Sequence, residues 1–416
     1  MNVTVCGRSK PFRTVTFDQA RNAVRLIDQR LLPHTFRIVS LGDFGQTAQA
    51  IRDMVVRGAG AIGATAAYGL AQGARAFRGR GLARFWRHAQ TVYQTIKAAR
   101  PTAVDPVSAM DRVRAAMRAG RTVEEQQALA IAAAEEFANE DVRHCQEIGR
   151  HGAKLIRQGM NILTHCNAGW LAFVDVGSAT APMYAAQAQG RAFHVYCDET
   201  RPRSQGSTLT AWELDQQHIS HQVIADNAAG HLMQRGRIDL VIVGSDRTLG
   251  RTGEVANKIG TYSKAVLARR HRLPFYVAIP LSTIDWNLKS GFDIPIEQRD
   301  ESEVLGAWGV VEGPRAEGGG PPASRSRPLA GEVLRAKAAL PAVAGPWPAK
   351  AGRRVYVRVG NPGSGALNPG FDVTPPELIT GIITPAGIFR PGDLWANRRQ
   401  LGYLSQLRTC APEKVP

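Results

Sequence analysis

The sequence predicts an α/β protein with a mainly helical N-terminal domain followed by a Rossmann-like parallel-sheet domain. Up to about residue 149, apolar residues recur at helical spacing, as in the Ala/Glu/Gln-rich stretch 123–147. From residue 161, short apolar runs alternate with helical stretches, the pattern of strands buried on both faces of a parallel sheet. The 416 residues are 44% apolar and 21% charged, ordinary for a globular chain. That length accommodates two or three domains.

In chain order, residues 14–17 and 23–27 read as short strands, and 47–56 and 123–147 as helices. A glycine-rich stretch at 58–63 enters a helix at 64–72. Strands are expected at 161–164, 193–197, 222–224, 238–243 and 275–278. Helices between them are expected at 179–188, 207–217, 228–234 and 257–271. From 313 to 352, 24 of 40 residues are Gly, Pro or Ala, too few large apolar groups to build a core. A disordered insert is expected over 313–360. Turn residues at 368–376 then lead to an apolar element at 378–383 that rejoins the sheet. The expected organisation is a helical domain 1–149, a catalytic domain 150–312, the insert 313–360, and a return to the catalytic domain with a tail at 361–416.

The 52 basic residues exceed the 35 acidic ones by 17. The stretch 313–360 holds +7 of this, and residues 54–104 contain no Asp or Glu at all. Such patches suit phosphate. From 313 to 352 the only aromatic residue is Trp347, so an RNA-binding arm is not expected. Five widely spaced cysteines with no C-x-x-C pair point to a reducing cytoplasm rather than a disulfide framework. Residues 1–13 lack the apolar run of a signal peptide, and 58–74 are too weakly apolar to cross a bilayer. A cytoplasmic protein without nucleic-acid or membrane partners is expected.

Ligands of open parallel sheets bind beyond the carboxyl ends of the strands. Four expected strands end in polar groups: His165-Cys166-Asn167, Asp198-Glu199, Asp226-Asn227 and Ser245-Asp246. One Asp in such a place is ordinarily a helix cap; four ends together with a thiol predict a polar cleft. His165 and Cys166, being adjacent, point to opposite faces, and no metal-ligand spacing accompanies them. A carboxyl at the cleft floor, such as Asp246, would be raised in pKa and serve as a proton donor, although Arg247 beside it is also a simple ion-pair partner. The stretch Gly58-Ala59-Gly60-Ala61-Ile62-Gly63 spells G-x-G-x-x-G, but helix precedes it and no acidic residue follows until Asp105, so dinucleotide binding is rejected. What remains is a helix start beside Arg57, suited to a phosphate. Lys258, after Asn257 at a second expected helix start, is another phosphate partner.

These segments together resemble the methylthioribose-1-phosphate isomerase family. The matching text includes Val56 to Gly63, Arg100 to Val104, Thr164 to Gly169, Asp198 to Pro202, Gln205-Gly206, Leu209 to Leu214, Ala229 to Met233, Asn257 to Tyr262, Pro280 to Asp285 and Asn368 to Ile383. The resemblance implies a homodimer that isomerises 5-methylthioribose 1-phosphate to its ribulose counterpart without metal or cofactor. It implies Cys166 and Asp246 as the catalytic pair, with Asp246 the proton donor. It further implies substrate contacts from Arg57, Gly58, Ala59, Arg100, Gln205, Asn257 and Lys258.

The sequence departs from the family pattern at Gly60 (usually Pro), Asp105 (usually Asn) and Ser245 (usually Ala). Trp170, Phe173 and Asp175 point to a sub-branch, whose alternative substrate is 5-deoxyribose 1-phosphate. A non-catalytic regulatory subunit of the translation-initiation exchange factor shares the fold; retention of Cys166, Asp246 and Lys258 favours the enzyme. A ribose-1,5-bisphosphate isomerase would need a second phosphate site at the far end of the sugar.

Overall fold

The computed structural model describes residues 1–5, 7–100, 104–310 and 354–403. The chain opens with a hairpin, β1 (Asn2–Val5) and β2 (Arg8–Pro11). A three-stranded antiparallel sheet follows: β3 (Val15–Asp18), β4 (Ala23–Ile27) and β5 (Ile38–Leu41). The first hairpin and β5 are additional to the strands expected from sequence.

Five helices pack next: α1 (Phe44–Arg52), α2 (Ala59–Ala76), α3 (Leu82–Lys97), α4 (Val104–Met117) and α5 (Val123–Gly152). Asp43 caps α1 by accepting from the Gln46 N–H at 2.8 Å, so this helix begins and ends earlier than the 47–56 expected. Thr122 caps α5 in the same way through the Glu125 N–H at 3.1 Å. That helix runs to Gly152, past the expected boundary at 149. In α2 every residue from Gly60 to Ala74 is buried. Its Gly and Ala side chains let α4 and α5 approach closely, and this packing explains the small-residue stretch beyond residue 63.

The second half is a seven-stranded sheet in the order β18-β17-β12-β9-β6-β7-β8. The strands are β6 (Asn161–Thr164), β7 (His194–Asp198), β8 (His221–Ile224), β9 (Leu240–Val243), β12 (Phe275–Ala278), β17 (Gly381–Thr384) and β18 (Gly387–Phe389). All pair in parallel except β18, which turns back on β17. The chain starts at the centre with β6 and builds outward through β7 and β8. It then returns to lay β9, β12 and β17 on the other side. The strands β7, β9 and β17 are buried at every position, the reason they read as unbroken apolar or near-apolar runs. Helices α6 (Ala181–Ala188), α7 (Ala211–Gln216), α8 (Ala228–Gln234) and α9 (Thr261–Arg270) connect them. The expected helix 207–217 is a π-helical turn, Gly206–Thr210, running into α7.

A smaller sheet crosses the strand ends in the order β13-β10-β11-β16, formed by Ile284–Asp285, Arg247–Leu249, Val255–Lys258 and Phe371–Thr374. It corrects one expectation directly. Asn257 and Lys258 do not start a helix; they end the strand β11, which pairs antiparallel with β16. The expected disordered insert also needs correction at its far end. Residues Arg354–Arg358 form β15, paired antiparallel with β14 (Gly306–Val310), which follows the short α10 (Ser302–Leu305). The rest of that expectation lies outside the described residues. Among the described residues no helix is long and apolar enough to cross a membrane.

Candidate active site

The sheet order decides where the site lies. β6 and β9 are neighbours, with Ile162 opposite Leu240 and Leu163 opposite Val241. They are also the strands at which the winding direction reverses, where a crevice opens in sheets of this kind. Cys166 stands just beyond β6 and Asp246 just beyond β9, so the two groups leave adjacent strands into the same space. One cleft is lined by Arg57, Gly58, Ala59, Arg100, Cys166, Gln205, Asp246, Asn257 and Lys258. All nine residues singled out from the sequence therefore meet there.

Cys166 has φ +66°, a backbone region that residues with a side chain rarely adopt. Two hydroxyls hold it: its N–H donates to Thr200 Oγ1 at 2.9 Å, and its carbonyl accepts from Thr210 Oγ1 at 2.8 Å. The preceding residue, His165, is held by other partners. The His165 ring lies 2.8 Å from Asp198 Oδ2 and 2.9 Å from the Ile259 carbonyl. Asp198 also meets Lys264 Nζ at 3.3 Å. His165, Asp198 and Asp226 form the one cluster among the described residues with metal-ligand proximity. Asp198 already faces an ammonium, and Asp226 accepts the Thr200 and Arg201 N–H groups at 2.7 Å each. These acids brace the loop after β7 rather than line the cleft. Of the four polar strand ends, those after β6 and β9 supply the cleft.

Asp246 is exposed to water in the cleft. Its N–H donates to the Ala256 carbonyl at 3.0 Å, which ties it to β11 and places Lys258 nearby. Desolvation raises its pKa, against the lowering charges of Arg100, Lys258 and Arg247. Arg247 is not its ion-pair partner: that guanidinium lies 3.3 Å from Asp285. Lys258 is buried, donating to the Gly370 carbonyl at 2.9 Å with its ammonium 4.7 Å from the Phe371 ring centre. Burial lowers its pKa, while Cys166 and Asp246, both within electrostatic reach, pull it up. The ammonium thus sits in the field of thiol and carboxyl alike.

On the helical side, Gly58 has φ +92° and a Cβ there would fall 2.4 Å from the Ala172 Cα. Only glycine fits. The helix α2 therefore starts at Ala59, earlier than the 64 expected, and no side chain caps its first N–H groups. Gly60, where the family pattern has Pro, has its flank filled by Asp141 Oδ1, 2.4 Å from an added Cβ, and by Phe173. The other Asp141 oxygen accepts from the Val174 N–H at 2.7 Å. Arg57 Nη1 donates to Asn167 Oδ1 at 2.7 Å and Nη2 to the Asn167 carbonyl at 2.6 Å. The Asn167 amide in turn donates to buried Glu213 at 2.8 Å. One amide thereby couples the Arg57 corner to the thiol turn. Arg100 Nε and Gln205 Oε1 are buried polar atoms with no protein partner among the described residues. They are the atoms a polar ligand would satisfy.

Sequence reading missed Met54, Arg203, Glu297, Arg299 and Phe371 as cleft residues. Arg203 directly follows the segment 198–202, but nothing local marks Glu297, which bonds Arg299 at 2.8 Å and lies 3.6 Å from Arg100. Of the three residues marking a sub-branch, Phe173 lines the cleft. Trp170 is fully buried against Trp212, and Asp175 pairs with the N-terminal amine.

The helical layer thus sets an uncapped helix start against the switch point of a parallel sheet. Residues 55–391 match the initiation factor 2 subunit family, and the chain belongs to it. Within that family its likeness runs to methylthioribose-1-phosphate isomerases. The enzyme of that name from Methylorubrum populi is 45% identical over 388 residues, covering 91% of this chain and 93% of the relative. The solved 5-methylthioribose 1-phosphate isomerase from Pyrococcus horikoshii is 36% identical with a TM-score of 0.75, over 95% of this chain and 97% of that one. The translation initiation factor eIF-2B subunit delta from A. fulgidus is 33% identical with a TM-score of 0.73, over 94% and 99%.

Proposed function

We propose that this chain is an aldose–ketose isomerase that converts 5-methylthioribose 1-phosphate to 5-methylthioribulose 1-phosphate. It works as a cytoplasmic homodimer whose Rossmann-like domain, residues 150–312 and 361–416, carries the reaction. The free thiols Cys145, Cys166 and Cys197 support a reducing compartment, since a working Cys166 must stay reduced.

The 1-phosphate locks the sugar ring, so chemistry begins with ring opening. Its charge is met by Arg57 and by the first N–H groups of α2 at Gly58 and Ala59, an arrangement that favours anions. Arg100, Gln205 and Asn257 complete the grip with polar groups. Asp246, whose pKa desolvation raises from the ordinary carboxylate range, gives its proton to the ring oxygen as the C1–O bond breaks. Hydrogen then passes from C2 to C1, and the C2 hydroxyl becomes the ketone by losing its proton. Cys166, within electrostatic reach of both Lys258 and Arg57, receives that proton. One proton is given and one taken, so the step is a net isomerisation. Met54, Ala172 and Phe173 offer the methylthio end an apolar wall.

The observation carrying this reading is that Cys166 and Asp246 leave adjacent strands into the cleft that Arg57, Gly58 and Ala59 close from the helical side. The test supplies 5-methylthioribose 1-phosphate to the purified protein and follows ketose formation, with 5-deoxyribose 1-phosphate in a parallel reaction. The methylthio sugar is expected to turn over with the higher kcat/KM. Replacing Cys166 by Ala should lower kcat by about 10²–10⁴-fold with an unchanged circular dichroism spectrum. No ketose from either sugar would overturn the reading.

A further inference from the structure

The catalytic cleft adjoins a second cavity of about twice its volume, ≈ 1410 against ≈ 730 Å³ with open mouths included. The two share Met54, Arg57, Arg203 and Gln205 as a common wall. Of the outer cavity's lining, the reaction above uses only the shared Met54, Arg57 and Gln205. Its far wall is the antiparallel β14–β15 ribbon, in which Trp308 pairs with Tyr356 and Val310 with Arg354. Directly paired residues of an antiparallel ribbon share a face, as do residues two apart. Trp308, Tyr356 and Arg354 therefore present one surface to the cavity.

The charge there is unbalanced. Four guanidiniums (Arg30, Arg57, Arg203 and Arg354) face two carboxylates, Asp53 and Glu303. Glu303 is engaged by Arg203 at 2.7 Å and by Arg299, and Asp53 accepts from Gln49 at 2.7 Å. Arg30 is held by Asp28 at 2.9 Å. Arg354 makes no ion pair among the described residues; its guanidinium lies 4.8 Å from the Trp308 ring centre. Burial together with the charges of Arg203 and Arg30 lowers its pKa, against the opposing charge of Asp28, which places the three cations within electrostatic reach of one another. Gathering guanidiniums without enough acid costs free energy unless an anion offsets it. Tyr356 and Trp308 add flat apolar faces beside them.

We propose that this outer cavity is a second anion site, binding a phosphomonoester between Arg354, Arg203 and Arg30, with the ester's organic part against Trp308 and Tyr356. The ligand is either the sugar phosphate on its way to the cleft or a separate phosphorylated effector; only the first rests on the isomerase reading.

Inorganic phosphate titrated calorimetrically into the full chain is expected to fill two sites per chain. Arg354→Ala should weaken one of them at least tenfold and leave the other, with kcat unchanged. Arg354→Lys, which keeps the charge but not the fork, should retain weakened binding, and thermal melts check that each variant folds. If substrate uses the site in transit, Arg354→Ala lowers kcat/KM about fivefold and flattens its dependence on ionic strength. If an effector uses it, kcat/KM holds and any effect of added phosphate on the rate at saturating substrate disappears. Phosphate binding identical in the wild type, Arg354→Ala and Arg354→Lys would overturn the proposal, whatever the fate of the isomerase activity.

Discussion

Replacing Asn167 by Ala removes the amide that joins the two halves of the site. Asn167 is 2% exposed. It accepts from Arg57 at 2.7 Å, donates to Glu213 at 2.8 Å and donates to Thr210 at 3.1 Å. Two of these bonds involve charged groups, worth about 1.5–3 kcal/mol each, and the third about 1 kcal/mol. Glu213 keeps the Trp170 and Leu171 N–H groups and the Tyr184 hydroxyl, and Arg57 keeps the Asn167 carbonyl. With that much retained, the expected loss of unfolding free energy is about 4 kcal/mol. The loosened Arg57 should lower kcat/KM by about 10²-fold, since small misplacements of a binding group carry that penalty. Urea unfolding and initial rates measure the two effects. Asn167→Asp sharpens the test. It restores the acceptor for Arg57 but sets a carboxylate about 2.8 Å from Glu213. At an effective dielectric of ~20, that repulsion is about 6 kcal/mol. One of the two acids must then hold a proton, so this variant should gain stability as pH falls. Stability within about 1 kcal/mol of wild type for Asn167→Ala, with kcat/KM within about threefold, would refute the coupling.

Other outcomes follow from the same geometry. If Asp246 is the proton donor proposed above, then with desolvation raising its pKa, kcat/KM should fall as pH rises through that pKa. Lys258→Met removes a charge that lowers it, so the falling limb should move to higher pH in the residual activity. Burial pushes Asp105 up to about 7, with Asp246 adding to the rise. A carboxyl raised in the fold contributes stability that is full below its unfolded value and lost as pH climbs to the folded one. Asp105→Asn should therefore stabilise the protein at pH 8, by up to about 4 kcal/mol at ~1.4 kcal/mol per unit, and change little at pH 4; equal melting shifts at both pH values would count against it. Gly58→Ala sets a Cβ 2.4 Å from the Ala172 Cα at φ +92°. Left-handed backbone and overpacking together should cost about 2–5 kcal/mol by urea unfolding, and the displaced start of α2 should raise KM.

The central sheet was legible because strands such as Leu240–Val243 and Gly381–Thr384 are buried on both faces, which leaves short apolar runs between helices. Asn257 and Lys258 were misplaced on a helix because the pairing that makes them a strand comes from Phe371–Thr374, far along the chain. Local periodicity carries no trace of that partner. Composition places residues 354–358 in a disordered insert for the same reason: their order comes from pairing with Gly306–Val310, not from their own residues. The glycine stretch was read as a loop entering a helix at 64, yet only Gly58 has a conformation that needs glycine. From Ala59 onward the small residues serve helix packing.

What the sequence determined by itself was the inventory: an alternating α/β pattern, a thiol and a carboxyl placed after strands, and a basic corner with no acid near it. These are local properties, written in the spacing of apolar groups and in which residue follows a strand. Tertiary structure alone decided that β6 and β9 lie side by side, that Asp198 and Asp226 turn inward as braces, and that Asn167 ties Arg57 to the thiol turn. Strand order depends on how helices pack on both faces of a sheet, a balance summed over many distant contacts, so the neighbours that make a cleft appear only once the chain has folded.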